Sequence, residues 1–199
     1  MDPLVSYNQE MKLKTGIVDY FCCDKENVLK LALQINKNSF HVFEGFDSDI
    51  DKPQNLDKLI NVSFIGNIYG QRQKYIDSIK HPVSVINSAY GTNHAIEVSK
   101  SKINLNFCTA HGASDRVYKI MAAGGFLMSD EWTGRKKYFK DGKDLVIFTS
   151  IEDLNKKIDY YLENEKERQS IAENGYKKVQ QFSRINWAKS IINLYETTT

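Results

Sequence analysis

Apolar residues recur along this chain in blocks that switch between the two-residue period of strands and the 3.6-residue period of helices. Residues 16–23 (GIVDYFCC), 40–43, 61–66 (NVSFIG), 83–87, 103–108 (INLNFC), 126–128 and 145–149 (LVIFT) read as strands. Helical patterns fall between them at 24–34, 72–80, 92–100 and 116–123, with Asp24 placed to cap the first. Residues 47–54 form an acidic turn region closed by Pro53, His81 and Pro82 break the chain, and Gly124 with Gly125 stops the fourth helix.

The C-terminal third is helical throughout. Ser150 with Asp153 makes a start resembling a capping box, and Ile151, Leu154, Ile158 and Tyr161 then recur at helical spacing. A second helix covers 165–182, with Gly175 inside it as a weak point or a close-packing site. Ser183 caps a third, carrying Trp187, Ile191, Ile192 and Leu194. Tyr160, Tyr161 and Trp187 lie on helical stripes and read as core or interdomain packing. There is no internal repeat and no low-complexity linker.

Strands alternating with helices predict an α/β fold, a parallel sheet with helices on both faces. In such sheets ligands bind at the carboxyl ends of the strands, where helix N-termini aim their amides at anions. Chemistry is therefore expected in the loops after Gly66, Asn87, Cys108 and Met128.

Composition narrows the function. With 199 residues, 41% of them hydrophobic, the chain suits one sizeable core. The net charge of +2 is uneven: residues 1–60 hold seven Lys/Arg against ten Asp/Glu, and residues 61–199 hold twenty against fifteen. That imbalance is too weak for a nucleic-acid groove, so no nucleic-acid partner is expected, but it suits a small anion such as a nucleoside diphosphate. No apolar run approaches the length of a membrane span, and residues 1–16 lack the apolar core of a secretory signal. Cys22, Cys23 and Cys108 lie in strand-like runs and suit buried thiols in a reducing compartment, the cytoplasm. No CxxC or Cys/His cluster exists, so no metal site is expected from them.

Four segments carry candidate chemistry. In Gly66-Asn67-Ile68-Tyr69-Gly70-Gln71-Arg72, a glycine-flanked turn lets backbone amides approach a phosphate and Arg72 adds a charged fork; an ordinary βα turn with a surface arginine has the same pattern. In residues 109–116 (TAHGASDR), a polar loop enters a short helix that Ser114 could cap, leaving amides facing a diphosphate. Arg116 and Lys119 put two cations in the first turns of that helix, against its dipole, as a bound anion would justify; the alternative is that both reach into water. His111 could meet phosphate or a sugar hydroxyl or act as a base, or be a hydrogen-bonded loop histidine. In Asp130-Glu131-Trp132 the carboxylates could accept from sugar hydroxyls, or cap the following segment. Asp47, Asp49 and Asp51 alternate as in some metal loops but lack the glycine and terminal glutamate of an EF-hand, and read as an exposed acidic turn.

Several longer pieces, taken in order, resemble a known family. Residues 101–107 (SKINLNF), 115–130 (DRVYKIMAAGGFLMSD), 138–147 (YFKDGKDLVI), 151–162 (IEDLNKKIDYYL) and 165–182 (EKERQSIAENGYKKVQQF) resemble the C-terminal domain of group-1 glycosyltransferases, most nearly a CgeB-like subgroup. Residues 61–72 (NVSFIGNIYGQR) are similar to the strand and arginine that open that domain, and 42–53 (VFEGFDSDIDKP) to the segment leading into it.

The resemblance implies a Rossmann-like donor-binding domain, the C-terminal half of a GT-B fold, over residues 40–199, with 1–39 a remnant of the N-terminal domain or an interdomain segment. It implies transfer of a sugar from a nucleoside-diphosphate sugar to an unknown acceptor, with no metal or other cofactor. Base and ribose would lie near residues 87–90 and 116–121. Arg72, Arg116 and Lys119 would neutralise the diphosphate, helped by the amides of Gly66, Ser114 and Asp115, and Glu131 and His111 would meet the sugar. Many relatives carry a glutamate where Lys119 stands, and a lysine cannot accept the ribose hydroxyls. The acceptor site would come from an N-terminal domain or a partner chain. The competing readings are a degenerate non-catalytic nucleotide-sugar-binding or assembly module and an epimerase-like enzyme on a similar scaffold.

Overall fold

The computed structural model describes residues 9–108 and 112–198, the side chain of residue 198 excepted. In chain order the elements are α1 (Gln9–Ile17), β1 (Phe21–Cys23), α2 (Glu26–Ala32), β2 (Ser39–His41), β3 (Ile60–Ile65), α3 (Gln71–Asp77), β4 (Ser84–Ile86), α4 (Thr92–Ser99), β5 (Ser101–Asn106), α5 (Asp115–Ala122), β6 (Leu127–Asp130), α6 (Arg135–Tyr138), β7 (Val146–Phe148), α7 (Ile151–Glu163), α8 (Glu165–Val179) and, after a 3₁₀ turn at Gln180–Phe182, α9 (Arg184–Thr198). No helix among the described residues is long and apolar enough to cross a membrane.

β1 and β2 pair in parallel as a separate two-stranded sheet. The remaining strands form one parallel sheet in the order β4-β3-β5-β6-β7. Alternation along β3 and β5 divides the core. Val62, Phe64, Ile103, Leu105 and Phe107 pack on one face with α7 residues Leu154 and Ile158. Ile65 faces the other side, with Ala95 and Val98 of α4 and Val117, Ile120 and Met121 of α5. Each of the larger side chains among these contributes about 1.5–3 kcal/mol, so the sheet is held from both faces, as a parallel sheet must be.

The chain leaves β3 to lay β4 on one side, then returns to lay β5 on the other. The strand order therefore reverses at the β3–β5 seam, the place where open α/β sheets leave a crevice for ligands.

Capping chemistry sets the C-terminal helices. Ser150 Oγ accepts from the Asp153 amide at 3.1 Å, and Asp153 accepts from the Thr149 amide at 2.9 Å. Ser183 Oγ accepts from the Asn186 amide at 3.3 Å at the start of α9. Gly175 is a close-packing site: a Cβ there would lie 2.4 Å from the Asp144 carbonyl oxygen.

Several expectations change. The apolar run 16–23 is not one strand, because its first two residues end α1 and only Phe21–Cys23 is extended. Asn36 donates to the Thr15 and Val18 carbonyls at 3.1 and 2.8 Å, satisfying the end of that helix, and Ile17 is left 82% exposed. Asp24 does not cap α2; its carboxylate pairs with Lys25 at 2.8 Å, and Lys25 holds the N-cap position. Cys22 is exposed rather than buried. Asp51 is not part of an exposed turn: it is 3% exposed and accepts from the Asp47 amide at 2.9 Å. Trp187 is 41% exposed and not a core residue.

Candidate functional site

At the β3–β5 seam the sequence places an aromatic ring, a glycine and two arginines together. Phe64 is fully buried in β3, and the chain turns immediately after Ile65 at Gly66, with φ +143°. The Gly66 amide donates to the Ile86 carbonyl at 2.9 Å, closing the turn against β4. That amide is therefore committed within the fold and not free for a phosphate, a correction to its expected role. The glycine serves instead by having no side chain: a Cβ would sit 2.6 Å from Arg116 Nη2.

Arg116 comes from the second residue of α5 and reaches across the seam. Its Nε donates to the Ile65 carbonyl at 2.8 Å and its Nη1 to Asn106 Oδ1 at 3.0 Å. Its guanidinium carbon lies 4.9 Å from the Phe64 ring centre. It thus bonds within the fold and does not simply reach into water. Arg72, in the first turn of α3, is 5% exposed and donates to the Asn67 and Phe107 carbonyls at 2.9 and 3.3 Å. Its guanidinium carbon stands 4.0 Å from the Tyr69 ring centre and 5.6 Å from that of Phe64, and its buried Nε has no partner among the described residues.

Two guanidinium groups therefore share one aromatic ring, bound by carbonyls and an amide oxygen. Among the described residues neither takes part in an ion pair. Burial, and then the Arg72 charge, pull Arg116 below the usual arginine range, with Asp115 opposing. Burying like charges side by side costs free energy unless an anion joins them.

Asn106, at the end of β5, organises the crevice. Its Oδ1 accepts from Arg116 and, at 3.2 Å, from Ser114 Oγ; its Nδ2 donates to Ser129 Oγ at 2.9 Å. Ser114 holds the N-cap position of α5 with extended backbone, but its hydroxyl bonds Asn106 and makes no cap. Lys119 turns back on Asp115 at 2.6 Å, so only one of the two expected cations opposes the helix dipole. Burial pushes the Asp115 carboxyl up, but the hydrogen bond and charge of Lys119, with Arg116, outweigh it and hold it below the usual range.

His94, in the first turn of α4, is 7% exposed, and its Nδ1 has no partner among the described residues. Burial first, then the charges of Lys119 and Arg116, hold it down at about 4 against the pull of Asp115, so the ring is neutral at physiological pH.

The other candidates lie elsewhere. Glu131 grips Arg135 with both oxygens at 2.7 Å and accepts from the Trp132 amide at 3.2 Å; Gly134, not Glu131, holds the N-cap of α6, and none of these bonds is to Arg72 or Arg116. His111 lies outside the described residues. No group of three or more metal-ligating side chains occurs among the described residues, the aspartates at 47, 49 and 51 included. A hollow of about 490 Å³ beside Pro53, Lys58, Phe126 and Arg168 lies at the opposite end of the sheet and shares no residue with the crevice.

Phe64, Asn106 and Tyr69 contact the two arginines, and the sequence reading does not single them out. Asn106 carried a usable signal: a polar residue inside the apolar run INLNFC must find buried partners. The role of Phe64 depends on a long-range contact that no local pattern reveals.

The family described as "Glycosyl transferase-like" matches residues 54–193. No curated protein matches the chain. Among solved structures, Anabaena HepE in complex with UDP-glucose is 11% identical, over 97% of this chain and 69% of that one, with a TM-score of 0.80. Sucrose-phosphate synthase from Thermosynechococcus elongatus is 12% identical over 98% of this chain and 65% of that one, with a TM-score of 0.73. A variant of S. aureus TarM in complex with Fondaparinux, alpha-GlcNAc-glycerol and UDP is 11% identical over 94% of this chain and 46% of that one, with a TM-score of 0.71. At such identities the likeness establishes the Rossmann-like α/β fold, and this chain spans roughly half to two thirds of those proteins.

Proposed function

This chain belongs to the glycosyl transferase-like family, and we propose that it is the donor-binding half of a GT-B glycosyltransferase of the CgeB-like subgroup. It takes a nucleoside-diphosphate sugar and gives the sugar to an acceptor held by an N-terminal domain or a partner chain. The observation that carries this reading is the pair Arg72 and Arg116, joined over Phe64 at the reversal of strand order with no ion-pair partner among the described residues.

In transfer, the bond between the anomeric carbon and the diphosphate oxygen breaks and negative charge grows on the leaving diphosphate. Fixed cations at that position stabilise the transition state more than the ground state, which is what accelerates the step. Arg116, held by Ile65 and Asn106, is the fixed donor, and Arg72 adds its charge beside it over the Phe64 ring. With the charge met by guanidinium groups, the reading calls for no metal. Lys119, tied to Asp115, adds positive charge nearby, while His111 and Glu131 remain candidates for the sugar. HepE holds UDP-glucose and TarM holds UDP, so uridine is the first base to try.

Calorimetric titration with UDP, GDP and ADP tests the reading. It expects one of the three to bind and the corresponding nucleotide sugar to be hydrolysed or transferred. Absence of binding by all three contradicts it and favours a non-catalytic module.

A further inference from the structure

A second hollow, of about 410 Å³, opens between α6, the turn that follows it and the end of α8. Six lysines line it: Lys136 and Lys137 on α6, Lys140 and Lys143 in the turn, and Lys177 and Lys178 in the last turn of α8. Its one acidic lining residue is Asp144, which is buried and accepts from the Lys140 amide at 2.8 Å. Lys137 pairs with Glu26 at 2.9 Å; among the described residues the other five lysines form no ion pair. Six lysines thus line the hollow against one lining carboxylate, Asp144, with Glu26 pairing Lys137 from outside it.

Helix geometry accounts for only part of this cluster. Lys177 and Lys178 complement the negative end of the α8 dipole. Lys136 and Lys137 likewise lie in the last turn of the four-residue α6, whereas Lys140 and Lys143 in the turn after it have no such role. They face α8 because Gly175 lets that helix press on the Asp144 carbonyl, and the turn is itself closed by the Gly142 amide on the Leu145 carbonyl at 2.9 Å. The backbone of the walls is thus fixed, and the six exposed lysines reach the hollow from it on flexible stems.

We propose that this hollow binds a small anion carrying several phosphate groups in series. Its volume lies within the roughly 300–1,000 Å³ usual for small-molecule sites. Lysine ammonium groups act as separate point charges and suit phosphates spaced along a flexible chain. The lining lacks the features other polyanions need. Its one ring, Tyr138, is packed edge-on against Phe43 and Phe182 at 4.9 and 5.7 Å, so it offers neither a stacking platform for bases nor a wedge for a membrane. The site shares no residue with the Arg72–Arg116 crevice.

The test is calorimetric titration of the whole chain with inorganic tripolyphosphate in excess UDP, so that the crevice is filled. Wild type is compared with the double variants Lys140→Gln/Lys143→Gln and Lys177→Gln/Lys178→Gln, whose melting temperatures are checked to be unchanged. The expected result is one site, weakened about tenfold by each double variant, as for the loss of two exposed charge contacts, and weakened again between roughly 50 and 300 mM salt. Orthophosphate binds far less tightly. Three results overturn the proposal: no tripolyphosphate binding at low salt, binding that neither lysine pair affects, or lysine-dependent capture by phosphatidylglycerol vesicles without tripolyphosphate binding, which would make the hollow a membrane contact.

Discussion

Gly66 and Arg116 compete for one volume, since a Cβ on the glycine would stand 2.6 Å from the guanidinium Nη2. The backbone at Gly66, with φ +143°, is also one that a side chain rarely adopts. The glycine after β3 is thus explained by an arginine fifty residues later in the chain, not by a phosphate against its own amide. Gly66→Ala is expected to cost about 1–3 kcal/mol of stability and to weaken UDP binding at least tenfold, read by urea unfolding and by titration. Unchanged affinity in a folded variant would detach the glycine from the site.

Asn106 satisfies Arg116, Ser114 and Ser129 at once. Replacing it with leucine leaves buried donors and acceptors without partners, a loss of about 2–4 kcal/mol in denaturant unfolding. Asn106→Asp supplies instead the carboxylate that the arginines lack. It should lower UDP affinity by neutralising Arg116 from within, beyond any loss from altered packing in the leucine variant.

His94 gives the fold a dependence on pH. Its folded value of about 4 lies below the ordinary 6.5, so between those values the unfolded chain binds the extra proton. Its contribution is therefore fully present above pH 6.5 and is lost as the pH falls, reaching about 2 kcal/mol by pH 5. The difference in unfolding free energy between pH 7.5 and pH 5 should shrink by that amount in His94→Gln. An equal pH dependence in the two proteins would show that the ring takes up a proton without cost.

Gly175 tests packing apart from the site. A methyl group added there would stand 2.4 Å from the Asp144 carbonyl oxygen, so Gly175→Ala forces backbone movement between α8 and the turn at 141–144. Unfolding free energy should fall by about 1–3 kcal/mol while UDP affinity stays at the wild-type value.

The parallel sheet was legible because its strands are compact apolar runs and several helix ends carry a local signal, as at Ser150, Ser183 and Gly124. The run at 16–23 was misread because its apolar letters straddle a helix end that Asn36 secures from elsewhere in the chain. Arg72 and Arg116 stood out by type and position. Their carbonyl partners, the shared Phe64 ring and the buried His94 are products of tertiary assembly, and no spacing rule brings β3, α3, α4 and α5 together. The same holds for Glu131, whose carboxylate is taken by Arg135 four residues on.

The central claim is that Arg72 and Arg116 together hold a nucleoside diphosphate. The most direct measurement is UDP affinity for the wild type, Arg72→Ala, Arg116→Ala and the double variant, completing a mutant cycle. The account predicts that each single change weakens binding by about 1–3 kcal/mol and that the double change costs less than the sum, because the two groups grip one ligand over one ring. Four equal affinities, with the variants folded, would contradict it and place the nucleotide away from the β3–β5 seam.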